Sequence, residues 1–150
     1  MSAPVLSLAP IVARIEAAAL YRSVGGAADM RRAAQSGAMG SPLAFVMPGA
    51  EATRPSGMVG GTQHSSVTAR FIVVTLAEDI RHDAGLRAVS QLEEVRAGLL
   101  SALAGWGPDY ADGPVSHLSG QLVTGPLPGG LLGWQDEFSL RFRRRLTTGG

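Results

Sequence analysis

The sequence predicts an α+β fold, with a mainly antiparallel four-stranded sheet and two amphipathic helices packed on one face. Three observations carry this prediction. Residues 63–78 alternate as a strand and then become apolar on both faces. Residues 84–105 carry an apolar stripe at helical spacing. Residues 131–146 alternate over the length of a long strand.

The first element is an expected helix from Leu8 to Arg22. Val5, Leu8, Val12, Ile15 and Ala19 recur at spacings of three and four. Pro10 is tolerated only in a first turn, so Ser7 is the expected N-cap. Gly25-Gly26 ends the element. A second short helix is expected from Ala27 to Gln35, closed by Gly37.

Leu43 to Met47 is an apolar run between Pro42 and Pro48 and reads as a strand. Gly49 to Thr62 is rich in Gly, Pro, Ser and Ala. It reads as a flexible loop, or as a hairpin arm that orders on a partner. In the strand Gln63–Glu78, Val67, Ala69, Phe71, Val73 and Thr75 share one face. Phe71-Ile72-Val73-Val74 is apolar on both faces, which predicts a central strand covered on two sides at that end.

Asp79 to Asp83 reads as a turn, and Asp83 as the cap of a helix from Ala84 to about Gly105. Leu92, Val95, Leu99, Leu103 and Trp106 form its stripe, and Gly105, Gly107 and Pro108 stop it. Val115–Thr124 is a strand in which His117 shares a face with Ser119 and Gln121. A Gly/Pro-rich turn over 125–130 joins it to the strand Leu131–Leu146, so the two form a hairpin. In that last strand Trp134, Asp136, Phe138, Leu140 and Phe142 face one way. Arg141 and Arg143 face the other. No repeat or second domain is visible, so residues 1–150 are read as one domain.

Composition narrows the function. The chain has 150 residues, enough to bury about 70% of its unfolded surface. It is 45% hydrophobic and 17% charged, so the surface carries less charge than usual and partners could cover part of it. The net charge of +1 gives no global field for nucleic acid or an anionic membrane. All 13 basic residues are arginine, which excludes a P-loop lysine, a Schiff-base lysine and a lysine general base. Cysteine is absent, so there is no disulfide, thiolate nucleophile or thiolate metal site. No apolar run approaches the ~20 residues that span a bilayer, and the N-terminus lacks a signal-peptide pattern; a cytoplasmic origin is the default expectation.

Catalytic constellations are not recognisable. His64, His82 and His117 lack the spacings that put two imidazoles on one metal. No G-x-S-x-G elbow is present. Glu78, Asp79 and Asp83 could serve as acid or base, or could solvate a turn and cap a helix. Gly57-Met58-Val59-Gly60-Gly61 is not a phosphate-binding pattern. Trp106 and Trp134 are read as core anchors or interface hot spots. Arg141, Arg143, Arg144 and Arg145 form one charge run, and on a strand Arg141, Arg143 and Arg145 project together. They read as a solvated strand end, or as a contact for an acidic protein surface or for passing DNA. No aromatic side chain interleaves with them, which argues against base stacking.

The run from Leu92 to Asp109, LEEVRAGLLSALAGWGPD, resembles the central helix and following loop of tail terminator proteins of long-tailed bacteriophages, prophages and gene transfer agents. The strand Arg70–Leu76, the helix Ile11–Ile15 and the closing strand Trp134–Phe142 are similar to the family in order and length. The resemblance implies a structural virion protein with no enzymatic activity and no cofactor or metal. It would be made in the bacterial cytoplasm and placed at the head-proximal end of the tail. It implies a homo-hexameric ring that caps the major tail tube protein, stops tube polymerisation and docks to the head-completion (stopper) protein. DNA would pass through the lumen without sequence-specific binding. The expected contact surfaces are the Gly49–Thr62 segment, with Arg54 and Met58 and the adjoining His64, the Val115–Gly130 hairpin region, and the run Arg141, Arg143, Arg144 and Arg145. Two other readings stay open: a different head–tail joining or tail completion protein, and a small ligand-binding or enzymatic α+β domain.

Overall fold

The computed structural model describes residues 5–36, 42–78, 86–123 and 131–147. Among these, three helices and five strands run in the order α1 (Ala9–Ala17), β1 (Ser23–Gly25), α2 (Ala27–Ser36), β2 (Leu43–Val59), β3 (Thr62–Glu78), α3 (Leu86–Leu103), β4 (Ser116–Leu122) and β5 (Leu131–Thr147). The sheet order is β1-β2-β3-β5-β4. β1 pairs with β2 in parallel, and every other pairing is antiparallel. The expected α+β class and the central position of β3 hold. The sheet has five strands rather than four, and it is mixed.

The additional strand arises where the first helix ends early. Pro10 sits in the first turn as expected, but the N-cap is Leu8, with no side-chain capping bond. Ser7 instead offers its carbonyl to the Tyr110 hydroxyl at 2.6 Å. The helix stops at Ala17, and Ala19 turns the chain with φ 54°. Residues 20–22 then run to β1, and the Arg22 N–H donates to the Pro42 carbonyl at 2.8 Å. Three residues are too short to show a period, so β1 leaves no sequence pattern. At the start of α2, Asp29 reaches back to the Gly26 N–H at 3.0 Å and also binds Arg32. Both contacts hold its carboxyl below the usual carboxylate range, the backbone bond most.

The core lies between one sheet face and the helices α1 and α3. Phe71 and Phe138 stack there at 5.2 Å between ring centres, and Tyr110 meets Phe142 edge-on at 5.8 Å. Ile11 and Ile15 of α1 and Leu99 and Leu103 of α3 close over them, all fully buried. Val67, Ala69, Phe71, Val73 and Thr75 all point into this layer. Among the described residues the opposite face is covered at the β1 end, where Met30 of α2 packs on Leu43, Phe45, Val74 and Leu76. Helices therefore occupy both faces, not one, and this explains why the second half of β3 is apolar on both sides.

Of the two readings of Gly49–Thr62, flexible loop or hairpin arm, the structure has the hairpin. Apart from its two-residue turn it is strand. β2 and β3 pair from Leu43↔Leu76 to Val59↔Thr62, with bulges between Pro48 and Glu51 and between Pro55 and Gly57. Gly60 and Gly61 close the hairpin with φ of 56° and 80°, the left-handed pair that a two-residue hairpin turn requires. Every residue of β2 from Pro48 to Val59 is exposed, so no apolar alternation marks it as a strand. β5 accompanies β3 along its whole length, from Thr62↔Thr147 to Glu78↔Leu131. The result is a three-stranded arm that extends past the helices.

β4 pairs with β5 as expected, but a bulge at Leu118 changes its faces. His117, Gly120 and Leu122 oppose Phe138, Asp136 and Trp134 on the helix-covered side, so His117 does not share a face with Ser119 and Gln121. α3 ends at Leu103, followed by Gly105 at φ 83°. The expected turn over Asp79–Asp83, the cap Asp83, His82, Gly37 and the turn over 125–130 lie outside the described residues, as do the side chains of the acidic cluster Glu78, Asp79 and Asp83. No helix among the described residues is long and apolar enough to cross a membrane.

Candidate interaction surface

The arm turns two chemically different faces to solvent, and the register decides which residue belongs to which. Arg54, Ser66 and Arg143 form one cross-strand row, followed by Ala52, Thr68 and Arg141, and then by Arg70 and Ser139. At the outer end Gly57, His64 and Arg145 form another row on the same face. Neighbouring strands stand ~4.8 Å apart and alternate residues ~7 Å apart along a strand, so these guanidinium groups make a compact array. Of the seven residues singled out from sequence, five lie together here: Arg54, His64, Arg141, Arg143 and Arg145.

Met58 and Arg144 fall on the other face. Met58, 58% exposed, and Leu146, 44% exposed, flank Gln63 near the tip. Arg144 crosses that face to Glu51 at 2.9 Å and Thr53 at 3.3 Å, with its guanidinium 5.8 Å from the centre of the Phe142 ring. Its side chain is only 12% exposed. Arg144 therefore ties β5 to β2 across Ser65, which is itself buried.

Sequence reasoning passed over Arg70, although the alternation of β3 places it beside Thr68. Arg70 lies 3.5 Å from Glu137, and Arg143 lies 3.6 Å from Asp112. Both pairs are exposed and partly screened by solvent, so each contributes little to stability. Arg54, Arg141 and Arg145 are exposed and form no ion pair among the described residues.

A second polar cluster lies inside the helix-covered layer. Asp136 is fully buried and accepts from Arg96 Nε at 2.9 Å, Arg96 Nη2 at 2.7 Å, His117 at 2.9 Å and Trp134 Nε1 at 3.3 Å. The Arg96 guanidinium also stacks 4.5 Å from the Trp134 ring centre, and its hydrogen bonds to Asp136 raise the guanidinium's own pKa above the usual arginine value. Both carboxylate oxygens are engaged by groups of the protein itself, so the cluster is arranged to fasten α3 to the sheet rather than to attack a substrate. Trp106 has a similar cover, with Arg14 5.3 Å from its ring centre. Both tryptophans are half-buried, at the margin of the core. Asp136 shares the inward parity of Phe138, which was visible in the sequence. Its partner Arg96, 40 residues away, was not.

The groove between α1 and α3 has a volume of about 390 Å³ and is lined by Arg14, Ala17, Ala18, Leu20, Gly98, Ser101 and Ala102. It is shallow and offers no converging acid, base or nucleophile pair. No group of three or more His, Cys, Asp or Glu side chains among the described residues could hold a metal.

Compared with known protein families, residues 1–148 match the family described as Phage tail terminator protein. Comparison with curated proteins gives no match.

Proposed function

The chain belongs to the phage tail terminator family and is a structural protein of a phage tail, and from this premise we propose that it caps the head-proximal end of the tail tube. Six copies close a ring on the last layer of the major tail tube protein, stop its polymerisation and present the opposite side to the head-completion protein. The genome passes through the lumen. The observation that carries this reading is the family match over nearly the whole chain. The arm supports it physically. A three-stranded extension that leaves Met58 and Leu146 exposed at its tip presents apolar surface that contact with another protein would cover. Head-to-tail contact through such a projection closes a ring when the rotation between copies divides the circle.

The test is to mix the purified chain with tubes assembled from the tube protein and image them by electron microscopy. The expected result is a six-fold density on one end of each tube and an end to further growth. Bare tube ends and undiminished elongation would sink the proposal. A monomer in free solution would not, since the ring could assemble on the tube itself.

A further inference from the structure

We propose that the arginine face of the arm binds the phosphate backbone of duplex DNA without reading its sequence. Its place in the particle rests on the ring reading above, whereas the binding itself is a property of the isolated chain.

The argument begins from concentration of charge. The chain is nearly neutral, at +1, yet Arg54, Arg70, Arg141, Arg143 and Arg145 share one face of one small sheet. Glu137 and Asp112 pair with Arg70 and Arg143, while the other three have no acidic partner among the described residues. Such a cluster repels itself, and an approaching polyanion relieves that repulsion.

The spacer residues then discriminate between partners. Between the guanidinium groups stand Ser66, Thr68 and Ser139, with Ala52 and Gly57. Arginine with hydroxyl side chains is the donor set that phosphate oxygens accept. A protein partner would be gripped by an apolar centre of aromatic or long aliphatic residues. This face has none between the His64 row and the Arg70 row, and Val59 lies beyond, at the tip. The arm's large exposed apolar groups Met58 and Leu146 are on its other side. No Phe, Tyr or Trp stands among the arginines to stack bases. Affinity would come from counterion release alone, and would be weak, indifferent to sequence and steeply salt-dependent.

The experiment uses the full chain and two fluorescent duplexes of unrelated sequence, with anisotropy read over a series of salt concentrations. Wild type is expected to bind both duplexes equally, with log K falling linearly with log salt. The variant R141Q/R143Q/R145Q is expected to bind at least about tenfold more weakly and to lose roughly two to three units of slope, at about 0.9 per phosphate contact. M58S/L146S, altered on the other face, is expected to bind as wild type does. Circular dichroism of each variant checks that the fold persists. Absence of binding by wild type at low salt would overturn the proposal, as would an unchanged slope in the arginine variant. If the arginine variant fails to cap tubes while wild type ignores DNA, the face meets an acidic protein surface and the DNA proposal falls while the capping reading stands. If DNA binding follows the arginines but tubes stay uncapped, the capping reading falls alone.

Discussion

Arg96 of α3 holds Asp136 of β5 through two parallel hydrogen bonds, 2.9 Å from Nε to Oδ2 and 2.7 Å from Nη2 to Oδ1, and the carboxylate is entirely buried. Removing Arg96 leaves the buried carboxylate to His117 and Trp134 alone, and losing one charged partner of a buried pair costs more than the pair contributes. R96M is therefore expected to destabilise the fold by about 3–5 kcal/mol. The double variant R96M/D136L should recover much of that loss, because it buries no charge. Urea unfolding of both variants checks this. Additive losses would show that the two side chains are not coupled.

Tyr21 and Tyr110 supply a pH-dependence with a defined sign. Tyr21 donates to or accepts from the Thr75 hydroxyl at 2.8 Å, and burial pushes its phenol up to about 12. Burial also raises Tyr110, whose hydroxyl donates to the Ser7 carbonyl. The folded values lie above the unfolded ones, so the folded state keeps protons that the unfolded state releases. Their contribution to stability is full below about pH 10 and declines as pH rises toward 12. These are the chain's two tyrosines. Phenolate absorbance of the native protein should therefore appear well above the pH at which the urea-unfolded chain ionises. Coincident titration curves would contradict the burial of both rings.

Two glycines separate a tight backbone approach from a tolerant one. A Cβ on Gly107 would stand 2.7 Å from the Gly113 carbonyl oxygen, which belongs to the loop backbone and cannot swing away. A Cβ on Gly98 would meet the Leu20 side chain at 2.6 Å, but Leu20 can change rotamer beside the groove. G107A is expected to cost about 1–3 kcal/mol. G98A should be near neutral, because alanine's helix preference of up to about 1 kcal/mol offsets the displacement of Leu20. The shift of the urea midpoint decides between them. Equal losses would mean that Leu20 is as fixed as the Gly113 carbonyl.

The legible parts of the fold were those whose burial imposes a period. β3 and β5 alternate because one face meets α1 and α3, and α3 shows its stripe because Leu92, Val95, Leu99 and Leu103 face that layer. The arm could not be read this way, since β2 beyond Pro48 buries almost nothing and its composition is that of a loop. Gly60-Gly61 nevertheless carried a hairpin signal, which two flanking alternating strands would have made plain. The grouping of Arg141, Arg143 and Arg145 followed from strand parity alone. That Arg54 joins them depends on a bulge, and a bulge shifts parity without a mark in the sequence.

Arg143 and Arg144 test that parity directly, since neighbours on one strand point to opposite faces. Arg144 reaches across Ser65 to Glu51 and Thr53, with most of its side chain covered. Arg143 is exposed, and Asp112 lies 3.6 Å from it. R144A is expected to cost about 0.5–1.5 kcal/mol, since Arg144 is largely covered but Glu51 is 42% exposed and the pair is partly screened. The loss should concentrate in the arm, so backbone amides of β2 at positions 51–55 exchange faster while those of Val73 and Val74 hold their protection. R143A, removing a screened surface pair, should change exchange at neither place by a measurable amount. Hydrogen exchange resolved by residue separates the two. Equal effects from R143A and R144A would mean that the Arg144 cross-strand tie does not hold the arm, and that its two faces do not differ as the register requires.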